Sequence, residues 1–152
     1  MTKKITLLII SLFVVFIISG CGNNTRVLTC SGVTPGTNMN AVSNYEAIFK
    51  NNELSIIKSK VVFKDITVDN LSSVWDTFKT QFNEQNKPVE EAGFKRTTEA
   101  DDKNYTFTVN IEIDFDKISK ETMKKYDITD YGSKTYDEIK KEITSDGVTS
   151  CK

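Results

Sequence analysis

The 152-residue sequence has no histidine and two arginines, Arg26 and Arg96. Without imidazole there is no Ser-His-Asp or Cys-His arrangement, no histidine metal ligand and no side chain whose ordinary pKa lies near neutrality. With so few arginines, no bidentate clamp for phosphate or carboxylate is evident. With 20 basic and 21 acidic residues, the chain lacks the positive excess that nucleic-acid binding uses. Proline occurs at Pro35 and Pro88, tryptophan at Trp75, and cysteine at Cys21, Cys30 and Cys151. No internal repeat is visible, and nothing in this inventory calls for a cofactor.

What is present begins with one long apolar run. After Lys3 and Lys4 the chain is apolar from Ile5 to Ile18, 14 residues interrupted by Thr6 and Ser11. A spanning helix needs about 20 apolar residues, and roughly 17 is the lower limit. A cationic start, a short apolar stretch and small residues at Ser19 and Gly20 describe a secretory signal peptide over residues 1–20. The segment Ile18-Ser19-Gly20-Cys21 resembles the lipobox of bacterial lipoproteins, with Ile18 where leucine is usual. The resemblance implies a diacylglycerol thioether on Cys21, cleavage before it, and an address on the extracytoplasmic face of a bacterial membrane. The competing reading is an uncleaved anchor with an incidental cysteine.

Loss of residues 1–20 leaves 18 basic against 21 acidic residues, a net charge of −3. Residues 21–25 read as a short lipidated tether that reaches at most about 15–18 Å. Residues 26–152 read as a single domain, long enough for a proper core. Two cysteines remain in it. In an exported protein Cys30 and Cys151 suggest a disulfide, worth about 4–5 kcal/mol in the chain-entropy account. The alternative is two buried free thiols, and a pair of thiols without histidine is a poor metal site.

The periodicity of the domain predicts an α+β fold: an antiparallel sheet of about five strands with helices packed on one face. A first strand covers Val27 to Cys30, followed by turn chemistry at Gly32, Pro35 and Gly36. Tyr45, Ala47 and Phe49 alternate with Asn44, Glu46 and Lys50. After a turn at Asn51-Asn52-Glu53, Ile57, Val61 and Phe63 alternate with Lys58, Lys60 and Lys64. The period then changes: Leu71, Val74, Trp75, Phe78 and Phe82 form a helical stripe, with Asp69 or Asn70 to cap it. Residues 89–92 read as a turn. Phe94 to Glu99 and Tyr105 to Phe115 form a second hairpin, the latter with apolar Phe107, Val109, Ile111 and Ile113 on one side. Ser119 caps a short helix with Met123 and Tyr126. Thr135-Tyr136-Asp137-Glu138 is a capping box opening a helix with Tyr136, Ile139 and Ile143 inward, and Gly147 is placed to end it.

Three features carry candidate chemistry. Glu112, Asp114 and Asp116 fall at two-residue spacing, a row of carboxylates suited to a cation, a small polar ligand or acid–base work on a sugar. Against this stands a solvated sheet face whose acids pair with Lys58, Lys60 and Lys64. Asp101-Asp102-Lys103-Asn104 has the polarity of a calcium-loop fragment without its later glutamate, which hairpin-loop polarity also explains. Tyr126, Tyr131 and Tyr136 recur every five residues and suit a protein or glycan contact if exposed.

The ordered layout resembles the YehR-like family of small bacterial lipoproteins, whose function is uncharacterised. The likeness is carried by the lipobox cysteine and polar segment, the hairpin "YEAIFKNNELSIIKSKVVFKD", the amphipathic helix, the strand "VNIEIDFDKIS" and the final "TYDEIKKEI" helix. It implies a compact α+β domain on a lipid anchor and supplies no catalytic residues; Cys30 and Cys151 lie outside its pattern. The sequence therefore points to a non-enzymatic envelope lipoprotein that meets the membrane through its anchor and an envelope protein or cell-wall component through its domain. A small-ligand or cation site on the acidic face is the alternative.

Overall fold

The computed structural model describes residues 24–145 and 150–152. The signal segment, Cys21, most of the tether and Gly147 lie outside the described residues. Seven strands form one antiparallel sheet in the order β4-β5-β6-β3-β2-β1-β7. They are β1 (Thr25–Pro35), β2 (Asn40–Lys50), β3 (Glu53–Lys64), β4 (Val89–Glu91), β5 (Phe94–Asp101), β6 (Thr106–Asp114) and β7 (Ser150–Cys151). Helices α1 (Leu71–Gln85), α2 (Lys120–Lys125) and α3 (Tyr136–Ser145), with a 3-10 turn at Tyr131–Ser133, complete the domain.

The sheet exceeds the five strands read from periodicity because two members are too short to show a pattern. β4 exists through a tight turn at Gly93, whose φ of 76° suits glycine. β7 is held against β1, where Cys151 faces Cys30 and Ser150 faces Ser31. β1 is also longer than its apolar core suggests, running through Gly32 to end at Pro35, where a missing N–H costs the sheet least.

Local chemistry accounts for the turns and caps. Asn51 and Asn52 both take positive φ, 51° and 69°, as a tight hairpin demands and asparagine tolerates. Asn70 occupies the α1 cap position in the left-handed region without a side-chain capping bond; its carbonyl accepts from Ser73 N at 2.8 Å. The Ser119 hydroxyl caps α2 by accepting from Thr122 N. The capping box of α3 forms as read: Thr135 N donates to Glu138 at 2.8 Å, and Glu138 N donates to the Thr135 hydroxyl at 3.4 Å.

All three helices pack on the same sheet face. α3 seals Leu28, Cys30, Ala47 and Phe49 with Ile139, a cluster at or below 1 % exposure. Under α2 lie Phe94, Ile113 and Ile118 with Met123, Tyr126 and Ile128. α1 sets Phe82 against Phe63 at 5.1 Å and against Phe107 at 4.3 Å between ring centroids, with Trp75 also on Phe107 at 4.8 Å. Val74, part of the apolar stripe of α1, is instead exposed, because the helix rests on the Trp75, Phe78 and Phe82 side. Among the described residues no helix is long and apolar enough to cross a membrane.

Candidate functional site

Among the described residues one sheet face carries no helix, and alternation along the strands builds it, interrupted by a bulge after Ile48. Across five strands the register aligns Glu46, Lys58, Glu112, Lys95 and Glu90 into one row of alternating charge. Lys58 lies 3.3 Å from Glu46, and Lys95 lies 3.3 Å from Glu90. Such exposed pairs contribute little individually, but facing opposite charges hold register. Valine and isoleucine flank the row: Val33, Val42 and Val62 align on one side of it, and Val27, Ile48 and Ile56 on the other. Val27 and Val33 are about half exposed, at 49 % and 54 %.

The three candidate carboxylates do not form one row. β6 ends at Asp114, so Glu112 and Asp114 belong to the strand and Asp116 falls in the turn beyond it. Glu112 is flanked in register by Lys58 and Lys95. Asp114 pairs with Lys117 at 2.7 Å. Asp116 accepts from Lys50 Nζ and from the Ser55 hydroxyl, both at 2.8 Å, and these bonds hold its carboxyl below the usual range. Each acid thus has a lysine neighbour, and among the described residues no group of three or more cysteines or acids is placed to hold a metal ion.

The polar loop between β5 and β6 closes on itself. Asp101 accepts from the backbone N–H groups of Lys103 and Asn104 and from the Asn104 amide. Asp102 turns to α1 and accepts from Trp75 Nε1 at 2.7 Å and Lys79 Nζ at 2.8 Å.

The tyrosines are half-buried and serve the interior, Tyr136 on the inner side of α3 as read, so the contact they would suit if exposed has no exposed patch here. Tyr126 stacks on Phe94 with ring centroids 4.0 Å apart and donates to Glu91. Tyr131 donates to Glu142 at 2.7 Å, and Lys134 pairs with the same carboxylate. Together, Lys134 first and then Tyr131, these bonds lower the pKa of Glu142. Tyr136 lies 5.4 Å from Phe49, with the Arg26 guanidinium 3.9 Å above its ring. Five-residue spacing had no bearing on exposure; position against α2 and α3 decided it.

Cys30 and Cys151 are joined by a disulfide across 121 residues of sequence, with Cα atoms 4.0 Å apart. Thr29 and Lys152 exchange backbone hydrogen bonds of 3.0 and 2.8 Å beside it. The cysteines thus occupy the non-hydrogen-bonded site of an antiparallel pair, where facing side chains approach most closely.

These features define a two-layer α+β domain with an open, charge-laddered sheet face. A solved NMR structure of a protein from Streptococcus pneumoniae TIGR4 is similar, with a TM-score of 0.55 and 17 % identity over 98 % of this chain and 96 % of that one. The likeness is one of fold. No protein-family model matches the chain, and no curated protein matches it.

Proposed function

We propose that this chain is a lipid-anchored lipoprotein of the bacterial envelope, YehR-like in kind, whose domain is a non-catalytic interaction module beside the membrane. The observation that carries the reading is the helix-free sheet face, where a charge ladder runs between two aliphatic rows. An extended face with exposed aliphatic rows beside a charge ladder suits a macromolecular contact, the rows supplying apolar area and the ladder specificity. The lipobox-like segment ending in Cys21 supplies the address, and a tether this short keeps the face close to the bilayer. The competing reading, a cation or small polar ligand on Glu112, Asp114 and Asp116, must first displace the lysines beside them.

Crosslinking in intact cells tests the proposal, with mass spectrometry of the captured partner and with palmitate labelling of the chain. The expected result is a specific envelope partner lost in Lys58→Glu and in Val33→Asp, and both label and partner lost in Cys21→Ala. A Cys21→Ala chain that is still acylated and processed would overturn the anchor. A partner indifferent to both face variants would overturn the surface.

A further inference from the structure

The helices do not cover the whole of their sheet face. α3 lies over the β1–β2 side and α1 over Phe63 and Phe107, so the row Tyr45, Ser59 and Ile111 between them is left partly uncovered. Here a cavity of about 440 Å3 opens between sheet and helices. Ile57, Val61, Ile111 and Ile113 form its floor; Ile128, Ile139 and Ile143 form its wall. Protein interiors rarely leave such a space, and an apolar surface held open to water marks a place where something binds. All seven aliphatic lining residues are β-branched. Such side chains have few χ1 rotamers and do not swing in to close the gap. The cavity is therefore preformed and falls in the size range of small-molecule sites, about 300–1,000 Å3.

Its polar groups define the ligand. Tyr45 and Ser59 face each other across β2 and β3 and bring two hydroxyls to the floor, neither with a hydrogen-bond partner among the described residues. The charged groups at the rim are Asp127 and Glu142. Glu142 is already engaged by Lys134 and Tyr131, and Lys134 sits 4.0 Å over the Tyr131 ring. Arg96, beside Ile111 in the same row, turns its Nε to the Lys87 carbonyl and lies outside the lining. An anionic head group would thus meet carboxylates and no cation of the lining, whereas an uncharged oxygen could accept from the two hydroxyls. We propose that this cavity binds a neutral aliphatic molecule with an oxygen-bearing head group, its chain against the isoleucines and its oxygen at Tyr45 and Ser59. The proposal does not rest on the open face or its partner.

The test uses membranes containing the full chain, irradiated with a diazirine-bearing long-chain alcohol or with the fatty acid of the same chain at pH 8. Labelled peptides are mapped by mass spectrometry. The alcohol should label the peptides carrying Ile111 and Ile143 about tenfold more than the acid, because an unpaired buried carboxylate costs at least that factor. Ser59→Leu and Val61→Phe, which fill the cavity from its floor, should each abolish this label. Lys60→Leu, on the opposite sheet face, should leave it intact. An intact disulfide and unchanged Trp75 emission establish that a variant is folded. Equal labelling by acid and alcohol, label on domain peptides away from the cavity, or label surviving in a folded cavity-filling variant would overturn the proposal.

Discussion

The indole N–H of Trp75 donates to Asp102 across 2.7 Å, pinning α1 to the loop that joins β5 and β6. Trp75 is 4 % exposed, so its donor needs this protein partner. Asp102→Ala should lower the melting midpoint and shift the emission of this sole tryptophan. Asp102→Asn, which keeps a neutral acceptor and loses the Lys79 pairing, should fall between Asp102→Ala and the parent. Identical melts and spectra for all three would show that the bond contributes nothing.

Phe107 is the hub beneath α1, at 1 % exposure and in contact with Trp75, Phe78 and Phe82. Phe107→Ala should cost about 3–5 kcal/mol in urea unfolding, because a rigid aromatic neighbourhood collapses poorly into the void. A loss below about 1 kcal/mol would mean that α1 rests on the sheet more loosely than described.

Gly93 should tolerate no side chain. A Cβ there would lie 2.3 Å from Ile118 N and 2.7 Å from the Asp114 carbonyl oxygen, and φ is already 76°. Gly93→Ala should therefore destabilise by more than about 1 kcal/mol, opposite to the usual gain from replacing a flexible glycine. A melting midpoint at or above the parent's would contradict this.

The disulfide closes nearly the whole domain, so Cys30→Ser/Cys151→Ser should lose about 2–5 kcal/mol. Alkylation of the native protein without reductant should leave Cys30 and Cys151 unmodified. Modification of both would show that the thiols are free.

The dependence on pH should be flat from about 5 to 8, since no histidine titrates there. Below that, Glu91, Asp102, Asp116, Glu138 and Glu142 all have pKa values lowered by their hydrogen-bond partners. The unfolded chain then binds protons that the folded chain refuses. Stability is full above the ordinary carboxylate range, near pH 4.5, and falls as pH drops through the folded values. Thermal melts from pH 8 to 3 check this; a decline beginning near pH 7 would contradict it.

What could be read from the sequence is local. The alternation of Tyr45, Ala47 and Phe49, the turn at Asn51 and the Thr135–Glu138 box each depend on residues a few positions apart, and the structure places them as read. β4 and β7 were not legible because three and two residues carry no period; the tight turn at Gly93 sets the first against β5, and pairing with the distant β1 creates the second. The acidic row looked continuous because spacing does not reveal where a strand stops, and β6 stops before Asp116. The cavity was invisible for a similar reason: it lies where α1 and α3 fail to meet, and no single segment encodes a gap between two others.

The disulfide also decides how the domain would bear a mechanical load. β1 is paired with β2 along all 11 of its residues, and Cys30 in its middle is bonded to Cys151, next to the last residue of the chain. Tension applied between Asn24 and Lys152 would pass along the first half of β1 and cross the sulfur–sulfur bond, a path that runs through none of β3 to β6 and none of the helices α1 to α3. Only the stretch from Asn24 to Thr29 could be peeled from β2, taking Val27 out of the open face, while the strands and helices that enclose the cavity would stay at rest.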